Sequence, residues 1–330
     1  MERESLTESD SESIQPDSML PAEKENREKE NAEKKSGSAF EKIAPQDRKF
    51  ECSTSLTLVQ IVEKFREQSE EWELETHLGK VKGRTYGTGE PVYFLNGAGA
   101  GSLLYSTIAW LLKDHYKCVL FDSPLYFPET CKRKEANINS LSEVVKEISD
   151  FHHDRNVSLY ASSFGSMVAL NSLALFPDRF SRGLLQGGYS HRELSLFERT
   201  LSSIGRKIPG PLKRVPFYKK IQTMNHRLWL PLMDQGRWEF YQKHSGEIPI
   251  KTLADQVRMI SKTDLRNSIA KIQQPVLIIR TEGEGSVLGK CQEELEKNLP
   301  NGKTEWIHSC GLIPYISRPH AIAKLIRNYV

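Results

Sequence analysis

The chain has 330 residues, with 46 Lys and Arg against 43 Asp and Glu and a formal net charge of +3. That length allows one large domain or two ordinary ones, and so small and dispersed a charge excess argues against a nucleic-acid-binding face. No uninterrupted apolar run of about 18 residues occurs, so no segment reads as a transmembrane helix.

Residues 1–50 read as a disordered charged tail. They carry 13 acidic and 9 basic residues, a net of −4, and include EKENREKENAEKK at 23–35. Such a segment cannot bury enough apolar surface to offset the entropy lost on ordering. It has neither the apolar core of a secretory signal nor the acid-poor composition of a transit peptide. The remainder, 51–330, is then near +7. The five cysteines (Cys52, Cys118, Cys131, Cys291 and Cys310) are odd in number and scattered. They suit buried thiols in a reducing compartment, and a cytoplasmic location is expected.

A leading helix is expected over 51–70, and an α/β domain from 71 to the end. WELETHLGKVKGRTYG (72–87) alternates weakly and predicts a hairpin at a sheet edge. Strands are predicted at 91–96, 117–122, 157–161, 181–188, 275–281 and 304–308, and helices at 102–112, 140–151, 164–176 and 319–330. Fully apolar strands alternating with helices imply a mostly parallel twisted sheet covered on both faces. Residues 191–260 break the rhythm and predict a helical cap over the carboxyl ends of the strands, where sites of open α/β sheets lie.

The chemistry centres on YASSFGSMVAL (160–170), a strand–turn–helix with Ala161-Ser162-Ser163-Phe164-Gly165 at its turn. A nucleophile elbow needs small residues flanking the serine because the turn is tight. Ser163 would stand at the tip, at a helix amino terminus that helps stabilise an anion. A plain helix-capping serine is the competing explanation; the position after the third buried strand favours the elbow. FLNGAGAGSLLY (94–105) follows a strand, as an oxyanion loop does, with Gly97 or Ala98 offering one amide and Phe164 the other. Its glycines with Asp122 partly resemble a dinucleotide fingerprint, but Ser102 stands where that pattern requires glycine. No cofactor is expected. The acid should follow the penultimate strand, where Glu282 and Glu284 lie, and Glu284 has the better spacing. The last loop, HSCGLIPYISRP (308–319), has the form that delivers a catalytic histidine, yet the residue after Gly311 is Leu312. Leucine can neither accept nor donate a proton. Of the nearby histidines, His320 opens the final helix, and His308 is the better candidate for a displaced base.

Over about 70–330 the sequence resembles the α/β-hydrolase superfamily and, within it, the maspardin subfamily. The likeness rests on SPLYF (123–127), ASSFGS (161–166) and GLIPYISR (311–318). It implies an α/β-hydrolase fold whose last loop lacks histidine, in a cytosolic protein that meets endosomal or Golgi membranes through protein partners. The favoured reading is a non-catalytic or vestigial hydrolase fold acting through partners in trafficking or signalling. The alternative is an intracellular serine hydrolase, for a carboxylic ester or related acyl substrate, using Ser163 with His308. The cap supplies a candidate surface for protein partners or peripheral membrane association. Lys213, Arg214, Lys219 and Lys220 interleave there with Phe217, Tyr218, Trp229, Trp238, Phe240 and Tyr241. The competing arrangement packs those aromatics inward and leaves the charges in water.

Overall fold

Alternation along the central strands decides where the hydrophobic cores form. The computed structural model describes residues 56–330; the charged tail expected at 1–50 and the first part of the expected leading helix lie outside them. In β3 (Glu90–Leu95), Val92 and Phe94 join one core while Tyr93 and Leu95 join the other. In β4 (Tyr116–Asp122), Cys118 and Leu120 separate in the same way from Val119 and Phe121. Side chains alternate with period two along a strand, so an unbroken apolar run buries both faces of a sheet.

The other strands are β1 (Glu70–Thr76), β2 (Gly79–Tyr86), β5 (Val157–Ser162), β6 (Phe180–Gln186), β7 (Val276–Thr281) and β8 (Gly302–Ile307). Among the described residues the eight strands form one sheet in the order β1-β2-β4-β3-β5-β6-β7-β8. The β1–β2 and β2–β4 pairs are antiparallel and the rest are parallel. The weak alternation of the edge hairpin has a steric origin. Trp72 pairs with Gly83, where a Cβ would lie 2.2 Å from the indole.

Helices α1 (Leu58–Gln68), α2 (Ser106–Leu112) and α12 (Pro319–Tyr329) supply one core; α3 (Ile138–Phe151) and α4 (Phe164–Leu175) supply the other. This α/β architecture, a mostly parallel sheet with helices on both faces, agrees with the sequence expectation. Between β6 and β7 the chain forms α5 (Leu196–Gly205), α6 (Tyr218–His226), α7 (Gln235–Gly246), α8 (Ile250–Lys262) and the short α9 (Arg266–Ile269). Helix α10 (Gly285–Asn298) follows β7, and the one-turn α11 (Pro314–Ser317) precedes α12. Tyr218, Trp238, Phe240 and Tyr241 of the cap are buried, so most of its aromatics pack inward, as the competing arrangement has them, whereas Phe217 stays exposed. Among the described residues no helix is long and apolar enough to cross a membrane.

Candidate active site

β5 ends at Ser162 and α4 begins at Phe164, leaving one residue to reverse the chain. That residue is Ser163, held at φ 45° and ψ −114°. A non-glycine residue is rarely found there, and such strain clusters at functional sites. Gly165 makes the approach possible: a Cβ on it would lie 2.5 Å from the Leu95 carbonyl oxygen and 2.8 Å from that of Asn96. Ala161 is fully buried, and its small side chain fits this crowded crossing.

The glycine loop after β3 closes on the elbow from the other side. A Cβ on Gly97 would lie 2.7 Å from Ser162 Oγ. Buried Tyr105 fixes this contact, with its hydroxyl 2.6 Å from Ser162 Oγ and accepting the Gly97 amide at 3.4 Å. Burial pushes the Tyr105 phenol up to about 12, so it stays neutral. The Gly99 amide donates to Gln256 Oε1 of α8 at 3.1 Å, and the Ser102 amide donates to Asp122 Oδ1 at 2.7 Å. Asp122 thus fastens the loop backbone, which answers the dinucleotide comparison: its carboxylate is already engaged. The Phe164 amide opens α4 and has no intrahelical acceptor. Ala98, the other residue expected to offer an amide, lines the same cavity as Ser163.

Across the cavity the proton-handling groups are arranged differently. Glu284, after β7, accepts the Thr281 amide at 3.2 Å and Gln186 Nε2 at 3.5 Å, and burial raises its pKa above the ordinary carboxylate value. The same Gln186 nitrogen donates to the Leu312 carbonyl at 3.3 Å. Gln186, at the end of β6, therefore bridges Glu284 to the last loop. Leu312 lines the cavity. Gly311 is required beside it, because a Cβ there would meet the Trp229 indole at 2.4 Å.

His308 is placed away from this site. It is 74% exposed, bonds Glu282 at 2.9 Å and stacks on Trp306. It does not line the cavity that Ser163 lines, and the displaced-base expectation for His308 is corrected accordingly. The strand end sends its side chain toward solvent. His320 is exposed at the start of α12. The histidine that does line the cavity is His226, at the end of α6 in the cap, which the sequence reading did not single out. Its Nδ1 is buried without a partner, it packs edge-on against Tyr241, and burial lowers its pKa to about 4. A histidine inside a cap carries no spacing signal that would have marked it.

The cavity measures about 210 Å³, with Ser163, Gln186 and His226 among Leu288, Leu312, Ile313 and Tyr315. Among the described residues the hydrogen-bond partner of Ser163 Oγ is the Tyr189 hydroxyl, at 3.5 Å. Burial pushes the Tyr189 phenol up to about 12, so at neutral pH it cannot take the serine proton. A small group entering the cavity would meet Ser163 and the glycine loop from Gly97 to Ala100. Among the described residues no three His, Cys, Asp or Glu side chains gather as a metal-ligand group.

The model of the alpha/beta hydrolase fold matches residues 90–319. No curated protein matches the chain. Among solved structures it is similar to an esterase from Exiguobacterium antarcticum, at 16% identity and a TM-score of 0.68, covering 79% of this chain and 99% of that one. It is also similar to a hydrolase from Pseudomonas aeruginosa PA01, at 15% identity and a TM-score of 0.67, with coverages of 78% and 97%. An enol-lactonase from Burkholderia xenovorans LB400 gives 14% identity, a TM-score of 0.66, and coverages of 78% and 98%. At these identities the likeness concerns the fold, and none of these matches is a maspardin.

Proposed function

The chain belongs to the alpha/beta hydrolase fold family, and we propose that within it this protein is a non-catalytic or vestigial member that acts by binding. One observation carries the reading: the Ser163 hydroxyl faces a neutral phenol, Tyr189, while Leu312 forms the cavity wall in the loop that would deliver a base. A serine hydroxyl is a weak nucleophile until a base accepts its proton. The tight turn at Ser163 stands without one. The motifs at 123–127, 161–166 and 311–318, which resemble the maspardin subfamily, support action through protein partners in membrane trafficking or signalling. They also support a cytosolic location, on endosomal or Golgi membranes.

A second reading, an intracellular serine hydrolase of carboxylic esters, is favoured by His226 alone. Its imidazole is neutral at pH 7 and shares the cavity with Ser163. No carboxylate pairs with it among the described residues, so the imidazolium formed during catalysis would be buried without compensation.

Hydrolysis of short-chain aryl esters decides between the two. The parent, Ser163→Ala and His226→Gln should all match the uncatalysed rate. Parental turnover abolished by Ser163→Ala overturns the binding reading, and a parallel loss in His226→Gln makes the cap histidine the base.

A further inference from the structure

Of the 18 large hydrophobic side chains exposed among the described residues, 11 fall between residues 196 and 233 of the cap. They follow helical spacing. Phe197, Leu201 and Ile204, with Ile208 just beyond the helix, recur at i, i+4, i+7 and i+11 along α5 and are all exposed. Ile221 and Met224 are exposed on α6, and the equally exposed Phe217 and Leu228 lie just before and just after that helix. Leu232 and Met233 follow on a loop, the latter 98% exposed. Amphipathic helices of a globular domain normally turn such stripes inward. Helix α5 does the reverse: its small residue Gly205 packs against Ala254 and Ile250 of α8, and its apolar stripe faces out.

The charge around these stripes is one-sided. Residues 196–233 hold eight Lys and Arg and a single acidic residue, Glu198, which pairs with Arg192 at 2.6 Å. Arg206 and Lys213 are paired to Asp255 and Glu247. Arg199, Lys207, Arg214, Lys219 and Lys220 make no salt bridge among the described residues. The net +7 of this short stretch equals the charge of the whole of 51–330, so the basic excess, dispersed on the whole-chain count, is concentrated here.

We propose that the outer stripes of α5 and α6 dock this protein on the surface of an anionic lipid bilayer. Protruding aliphatic and aromatic side chains ringed by Lys and Arg are what an interfacial helix presents to acyl chains and lipid phosphates. Lysine is depleted at protein–protein interfaces, yet here Lys207, Lys219 and Lys220 sit beside the apolar stripes. A second copy would bring the same positive charge against itself. At ten and nine residues the helices are too short to span and can only lie in the interface. The inference does not depend on whether the Ser163 site turns over.

Sedimentation of the full chain with vesicles tests it. The parent should pellet with phosphatidylcholine vesicles doped with phosphatidylserine, not with phosphatidylcholine alone, and added salt should release it. The pair Lys219→Gln and Lys220→Gln should weaken binding roughly thirtyfold, at about 1 kcal/mol per basic residue. The pair Leu228→Ser and Met233→Ser should weaken it comparably, with thermal unfolding unchanged because both side chains are exposed. Ser163→Ala should bind as the parent does. Absence of vesicle binding, or binding that survives both paired variants, overturns the proposal. So does a dimer that Leu228→Ser and Met233→Ser dissolve without any lipid affinity, which would give the face to a second copy, and so does capture by an acidic peptide alone.

Discussion

Two walls of one cavity are built from different materials. On the elbow wall the features that matter are backbone: the glycine loop from Gly97 to Ala100 and the strained turn at Ser163. Their positions follow from steric necessity at Gly97 and Gly165, where a Cβ would press within 2.7 and 2.5 Å of a neighbour. On the opposite wall a proton relay needs side chains of particular chemistry, and there the space is taken by Leu312 and by Gln186, which ties Glu284 to the Leu312 carbonyl. Backbone geometry persists as long as the fold does. A relay is lost by one side chain and its place can be repacked.

The comparison is sharpened most by rebuilding the second wall. Leu312→His, combined with Gln186→Ser to release Glu284, should raise ester hydrolysis by roughly 10² to 10⁴ over the parent, the usual contribution of a positioned base. The gain should vanish on adding Ser163→Ala. An inert rebuilt variant, with Ser163 still accessible to an organophosphate probe, would show that the elbow wall is no longer competent either.

Breaking the first wall should cost stability instead. Gly165→Ala pushes a methyl group against two backbone carbonyl oxygens that cannot rotate away, and about 3 kcal/mol or more of destabilisation is expected. Leu312→Ala, at a position 37% exposed, should cost well under half of that. Chemical denaturation of both variants gives the ratio, and equal losses would contradict the steric account.

A smaller effect separates the cap from both walls. Burial holds His226 at about 4 against an ordinary 6.5, so between those values the unfolded chain binds a proton that the folded chain refuses. Stability is therefore full above about pH 6.5 and declines as pH falls toward 4, by roughly 2 to 3 kcal/mol from this group. His226→Phe should flatten part of that decline in urea titrations; His244, also held at about 4 by burial, keeps a slope of its own. An unchanged slope in His226→Phe would mean that the imidazole is reached by water. The smallest effect belongs to His308→Ala. With its ring exposed and paired to Glu282 on the surface, neither unfolding nor ester hydrolysis should shift measurably.

Much of the fold was legible because local rules write it. The apolar runs at 91–96, 117–122 and 157–161 could only be strands buried on both faces, and the structure starts and ends them within a residue of those limits. The tip position of Ser163 was readable for the same reason, as a tight turn announces itself by the small residues around it. That a leucine, Leu312, follows Gly311 in the last loop was visible too.

What the sequence could not contain was the pairing of remote side chains. Gln186 reaches Leu312 across 126 positions, and Tyr189 meets Ser163 only because the chain turns back after β6. His226 enters the cavity because α6 folds over it, and His308 leaves it because the end of β8 directs that ring onto Trp306. Periodicity and turn chemistry act over a few residues, so the chain alone determined its strands and the tight turn at Ser163. Which groups surround Ser163, and which cap faces are left to solvent, were decided by tertiary packing, where direction and distance are set by elements far apart in the chain.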